Sequence, residues 1–168
     1  MKTIRESIGR PMRWRRTRLL PAAFELRIGD EALATLAWPG LFSRSARAAA
    51  AEGEWSFRRS SMFSWSVLIE DTATGAELGR YSPGARAGTL RLADDTAYRI
   101  GRDGLFGPLK VWRENGGALI TFSRRPLFGG AMQPEAAASA EPWLGLLSAF
   151  AFYLLVLRRR RAASSSGG

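Results

Sequence analysis

The chain contains no histidine and no cysteine. That removes the imidazole general base, the Ser-His-Asp and Cys-His pairs, and every thiolate or imidazole metal ligand. The remaining carboxylates include adjacent pairs at Asp30-Glu31, Glu70-Asp71 and Asp94-Asp95. Each pair falls between two alternating apolar runs, where an Asp side chain bonds the local backbone of a turn. Asp94-Asp95 lacks the spacing and the bidentate Glu that a calcium loop requires. Gly101 to Gly107, GRDGLFG, is not a phosphate-binding GxGxxG, and no strand-to-helix switch follows it. No pair of Asp, Glu, Lys or Tyr has a spacing that chemistry demands. The expectation is a non-enzymatic protein without a cofactor.

What remains is charge. The net charge is +10, and it is concentrated at the two ends. Of 25 Lys and Arg, seven lie in residues 1–18 and four form the run Arg158, Arg159, Arg160 and Arg161. The fourteen others face fourteen acidic residues across positions 19–157, so the body is neutral. A duplex-binding domain spreads its basic residues along one surface of the fold, so no specific nucleic acid is expected. A cluster of about four to eight Lys/Arg beside an apolar element instead attracts anionic lipid, at about 1 kcal/mol per residue near the surface. The candidate contacts for an anionic phospholipid or membrane surface are Arg10, Arg13, Arg15, Arg16, Arg18 and the run from Arg158 to Arg161. Trp14 and Met12 are the candidate inserting groups. Residues 1–18 are expected to be a basic, poorly ordered lead-in. The apolar stretch after them, Leu19 to Phe24, is too short for a signal peptide.

The elements between the charged ends alternate with period two. Phe24, Leu26 and Ile28 run to a turn at Gly29-Asp30, and the chain returns through Leu33, Thr35 and Ala37. Trp65 to Ile69 and Glu77 to Tyr81 flank an Asp71–Gly75 turn. Thr89 to Leu92 and Tyr98 to Ile100 flank Asp94-Asp95, and Leu109 to Trp112 and Ala118 to Phe122 flank Asn115-Gly116-Gly117. Four hairpins of one style, with turn residues at short intervals, predict an all-β barrel or sandwich. Trp55 to Arg58 adds a further alternating run. The Ala48–Ala51 stretch reads as a turn of helix or a loop, and the tryptophans read mainly as core. Arg58-Arg59 and Arg124-Arg125 read as solvated strand ends. The Ala/Pro/Gly-rich connector from Phe128 to Glu141 has room for one last strand.

Pro142 to Leu157, PWLGLLSAFAFYLLVL, is sixteen residues without a charge. Pro142 suits the first turn of a helix, with Ser139 or Glu141 as its cap. A helix apolar on every side belongs in a bilayer or inside a protein. Sixteen residues give about 24 Å, against roughly 30 Å of hydrocarbon. The arginines that follow are the flank a spanning helix carries on its cytoplasmic side. Both homes stay open on these grounds. Residues 162–168, AASSSGG, are expected to be a disordered tail.

A β-hairpin meander followed by one terminal apolar helix resembles the tubby C-terminal-like superfamily, which includes tubby proteins, LURP-one-related proteins and phospholipid scramblases. The likeness is carried by FELRIGDEALATLAW, Trp55-Ser56-Phe57-Arg58, WSVLIEDTATGAELGRY, LKVWRENGGALITF and PWLGLLSAFAFYLLVLRRRR, together residues 19–161. It implies a mainly β fold: a closed antiparallel barrel of hairpins around a hydrophobic C-terminal helix, here about 142–157. The cysteine-rich and proline-rich regions of scramblases and their acidic calcium segment have no counterpart. Lys110 and Arg113 do not align with the phosphoinositide site of tubby proteins, so no functional residue transfers.

The leading expectation is a non-enzymatic, tubby-like, cytoplasmic protein that contacts anionic lipid through its basic ends. Two alternatives stand beside it: a β domain anchored by a single-pass helix at 142–157, and a nucleic-acid-associated protein acting through its basic termini.

Overall fold

Alternation of inward apolar and outward polar side chains recurs along the chain, and in the computed structural model each such run is a strand. Residues 1–61, 64–123 and 130–167 are described. The strands are β1 (Met12–Arg18), β2 (Ala23–Ile28), β3 (Glu31–Ala37), β4 (Ser45–Ala50), β5 (Gly53–Arg59) and β6 (Val67–Asp71). β7 (Glu77–Ser82), β8 (Ala87–Leu92), β9 (Ala97–Arg102), β10 (Leu109–Arg113), β11 (Ala118–Phe122) and β12 (Ala131–Pro134) follow, then the helix α1 (Leu144–Ser166). Each strand pairs antiparallel with its sequence neighbour, and β1 closes the ring on β12 through Met12↔Met132 and Arg13↔Ala131. The four expected hairpins are β2–β3, β6–β7, β8–β9 and β10–β11. Their turns use the acidic pairs as expected: Asp71 Oδ1 accepts from the amides of Ala73 and Thr74, and Asp94 Oδ1 from that of Thr96.

The apolar stretch is inside the protein. Every residue of α1 from Leu144 to Leu157 except Leu155 is buried, and rings from around the barrel close on it. Phe150 meets Phe57 of β5 and Tyr81 of β7 at 5.2 and 5.4 Å between centroids. Phe152 lies against Trp14 of β1, Phe24 of β2 and Phe122 of β11. Tyr153 stacks on Trp38 at 5.8 Å. A sheet closed on itself leaves an interior that side chains must fill, and the helix fills it. Burying each large apolar side chain there is worth roughly 1.5–3 kcal/mol. No described helix is long and apolar enough to cross a membrane.

Four local expectations are corrected. Residues 1–18 are not a poorly ordered lead-in: after a 3-10 turn at Arg5–Ser7, Met12 to Arg18 form β1. Met12 and Trp14 face inward and Arg13 and Arg15 outward, a strand pattern in which arginine supplies the polar half. The Ala48–Ala51 stretch is largely the end of β4, not helix; the inward Ala46, Ala48 and Ala50 are small because α1 packs most closely there. The helix does not stop at Leu157 but continues to Ser166, so residues 162–166 are helical rather than disordered. Neither Ser139 nor Glu141 caps it; the N-cap position is Trp143, with no side-chain cap bond. The last strand allowed in the connector exists as β12. Arg124-Arg125 lie outside the described residues.

Candidate functional site: an arginine-lined barrel mouth

In an up-and-down barrel successive loops alternate between the two ends, so strand order decides which loops are neighbours. The end where α1 begins gathers loops 29–30, 51–52, 72–76, 93–96 and 114–117 and the connector 135–143. These carry Asp30, Glu52, Asp94, Asp95, Glu114, Glu135 and Glu141 and no Lys or Arg. The end where α1 leaves gathers loops 19–22, 38–44, 83–86 and 103–108. These carry Arg44, Arg86 and a single acid, Asp103, whose Oδ2 accepts from Lys110 Nζ at 2.8 Å. The body that is neutral by count is therefore polarised end to end. The charge is not confined to the tails, as composition alone suggested.

At the acidic end the arrangement is structural. Glu141 is 1% exposed. Its Oε1 accepts from the Tyr98 hydroxyl at 2.7 Å and the Trp143 amide at 3.2 Å. Its Oε2 accepts from Arg113 Nε and Nη2 at 3.0 and 2.9 Å, and its carbonyl accepts from Arg5. Burial, followed by the bonded carboxylate, drives the Tyr98 hydroxyl far above its ordinary pKa. Both carboxylate oxygens are engaged, so the group pins the chain that enters α1. It offers no free lone pairs for chemistry.

The opposite mouth is lined by guanidinium groups, and those of Arg16, Arg18 and Arg158 to Arg161 have no carboxylate partner among the described residues. Arg16 falls on the inward parity of β1, opposite Phe24, with its Cζ 5.7 Å from that ring. Arg18 Nε donates to the Pro21 carbonyl and Arg16 Nη2 to that of Leu19, which ties down the β1–β2 loop. Arg160 lies 4.2 Å over Trp38. Trp65 receives Arg59 at 4.2 Å and Arg161 at 5.0 Å. Burial raises the pKa of the Tyr81 hydroxyl, and the positive charge of nearby Arg158 offsets part of that rise. Burial lowers the pKa of Arg159; for Arg160 burial does so first and the neighbouring Arg16 second. Both remain cations, because a guanidinium holds its proton throughout the ordinary pH range. Arg160 is exposed and Arg159 half-buried, and Arg159 Nη2 is buried without a hydrogen-bond partner among the described residues.

The same mouth collects exposed apolar side chains. Apart from Met1, the large hydrophobics exposed among the described residues are Leu19, Leu20, Leu41, Phe42, Leu105 and Phe106. All six sit on loops at the arginine end, with Phe42 96%, Leu105 81% and Phe106 71% exposed.

The candidates read from sequence divide accordingly. Arg16, Arg18 and Arg158 to Arg161 meet at the mouth. Arg13 and Arg15 face outward along the wall, and Arg10 lines a shallow outer groove with Thr121 and Gln133. Trp14 is no inserting group: it is fully buried against Phe152, and Met12 is buried too. Sequence reasoning missed Arg86, Arg102, Phe42, Leu105 and Phe106. A signal was available in Gly40-Leu41-Phe42 and Gly104-Leu105-Phe106-Gly107, two Leu-Phe pairs in glycine-containing turns that ordinarily carry polar residues. Comparison with family models, curated proteins and solved structures finds no match.

Proposed function

We propose that this chain is a non-enzymatic, tubby-like barrel that seats its arginine-lined mouth on anionic membrane surfaces. A closed barrel enclosing its terminal helix is the fold that the family likeness implies, which supports the tubby-like assignment. One observation carries the membrane reading: arginines with no carboxylate partner among the described residues share one mouth with exposed Leu/Phe side chains, while the acidic loops occupy the other. An anionic bilayer matches both halves of that surface. Four arginines engaged at about 1 kcal/mol each supply about 4 kcal/mol, roughly a thousandfold in affinity. Each aromatic tip that leaves water adds up to roughly 1.5–3 kcal/mol. The reading makes the protein peripheral to the membrane, on its cytoplasmic side.

Vesicle flotation tests it. Recovery is expected to be high on phosphatidylserine-containing vesicles, low on pure phosphatidylcholine, and reduced as salt shortens the screening length. Equal recovery on neutral and anionic vesicles, unaffected by salt, overturns the reading. Equal or tighter binding to single-stranded RNA, competing with vesicles, assigns the mouth to nucleic acid instead.

A further inference from the structure

Membrane docking needs only a charged surface, but the mouth has more than that. A cavity of about 570 Å³ opens between the β7–β8 and β9–β10 loops and the helix, and Arg86, Arg102 and Arg158 line it. The three guanidinium groups come from three separate elements, a loop, the end of β9 and α1. None is paired with a carboxylate among the described residues; Asp103 next door is already held by Lys110. A second cavity of about 290 Å³ shares Arg102 and Arg158 and adds Arg159. Arg159 Nη2 is a buried donor without an acceptor among the described residues. An unsatisfied buried donor is costly, more so on a charged group, and like charges lining one cavity add to that. An anion seated among them removes both costs.

We propose that Arg86, Arg102 and Arg158, with Arg159 behind them, form a discrete pocket for the terminal phosphate of a phosphomonoester. The choice follows from charge and shape. Three cations brought to one cavity by three separate elements suit a tetrahedral dianion with three terminal oxygens, each able to take a forked guanidinium contact. A carboxylate presents two oxygens and one charge, and a phosphodiester presents two free oxygens and one charge. Leu105 lies on the cavity rim and is exposed, so a ligand carrying an apolar body beyond its phosphate has a surface to rest on. The phosphate belongs either to a lipid headgroup or to a soluble metabolite. The lipid arm rests on the membrane reading above; the soluble arm does not.

The test compares vesicles of phosphatidylcholine doped with phosphatidic acid, a phosphomonoester, or phosphatidylserine, a phosphodiester, at matched surface charge. Calorimetric titration with glycerol 3-phosphate and with dimethyl phosphate runs beside it. Phosphatidic acid is expected to bind on the order of tenfold tighter than phosphatidylserine, one charge-assisted hydrogen bond's difference. That margin is expected to vanish in Arg102→Gln and in Arg86→Gln and to persist in Arg13→Gln on the outer wall. All three residues are exposed, and matching thermal unfolding verifies that the variants fold. Equal binding of the two lipids overturns the pocket while leaving surface docking intact. Glycerol 3-phosphate binding that Arg102→Gln abolishes, without any vesicle binding, overturns the membrane reading and keeps the pocket. No binding in either format overturns both.

Discussion

Trp14 of β1 lies flat on Phe152 of α1, with ring centroids 4.6 Å apart and planes 2° from parallel. Strand and helix come from opposite ends of the sequence, and β1 is also the strand that closes the barrel on β12. Closure and helix packing therefore share one contact. Trp14→Ala is expected to lower stability by about 3–5 kcal/mol, the usual cost of emptying an aromatic site in a core. Urea unfolding followed by circular dichroism measures it. A loss under about 1 kcal/mol would show that the segment is dispensable, as a lead-in would be.

Glu141 provides a second anchor, and its removal leaves Arg113 and Tyr98 without their acceptor. Arg113 is half exposed and can be taken up by water, so the cost is set by the buried Tyr98 hydroxyl left without an acceptor, about 1–3 kcal/mol. Glu141→Ala is expected to show that loss in chemical denaturation. Glu141→Gln retains one acceptor oxygen and is expected to lose less.

Alkaline stability should follow the tyrosines. Burial is the leading cause of the raised pKa of Tyr81, Tyr98 and Tyr153. The folded state then holds these protons more tightly than the unfolded chain, whose tyrosines titrate near pH 10. Their contribution is complete below about pH 10 and is lost as pH rises above it, because unfolding then releases protons. Unfolding at increasing pH, read by tyrosinate absorbance, is expected to show a steep alkaline limb. Tyr153→Phe, which removes a hydroxyl that has no hydrogen-bond partner, should make that limb shallower without loss at neutral pH.

Gly88 of β8 makes room for the Tyr81 ring of β7. A Cβ at position 88 would overlap the ring, which itself packs on Phe150 of the helix. Gly88→Ala is expected to cost about 1–3 kcal/mol by overpacking. Tyr81→Leu in the same chain should recover part of it, and a double-mutant cycle reads the coupling. Strict additivity would exclude the contact.

The exposed rings at the mouth make the opposite prediction. Phe42→Ser and Phe106→Ser remove side chains that contribute little to the core, so thermal unfolding should be unchanged. Partition onto phosphatidylserine vesicles should fall by roughly tenfold per ring, the value of partly burying one aromatic side chain. Unchanged partition would reduce docking to charge alone.

How much of this was legible in the sequence follows from how each signal is written. Gly29-Asp30, Asp71–Gly75, Asp94-Asp95 and Asn115-Gly116-Gly117 mark turns in local chemistry, so four hairpins were readable; the helix was readable as apolar on every side, while its place inside the barrel came only from the family likeness. β1 was hidden because arginine fills its outward positions and β4 because alanine fills its inward ones. Those two omissions matter beyond themselves. A missed strand moves every later loop to the other end of the barrel relative to the earlier ones, so without β4 the loop that carries Phe42 does not share an end with Arg86 and Arg102, and without β1 Arg16 and Arg18 have no place in the wall. Arg158 to Arg161 were visible as a charge run. Phe42, Leu105 and Phe106 were not singled out because nothing local says which end a turn occupies.

The separation of acidic and basic loops also acts at a distance. From β1 onward the loops set acidic residues at one end of the barrel axis and arginines at the other, where α1 ends, although Lys2 and Arg5 of the leading segment lie at the acidic end. The macrodipole of α1 points the other way, its amino end set beside Glu141 and Asp94 and its carboxyl end among arginines, so each offsets the other's cost. The net field is set by whole charges, and it is felt out to about a Debye length, about 8 Å at physiological salt. On the proposed membrane reading, an anionic surface within that range is expected to turn the barrel mouth-first before any side chain makes contact, so that orientation is settled during approach.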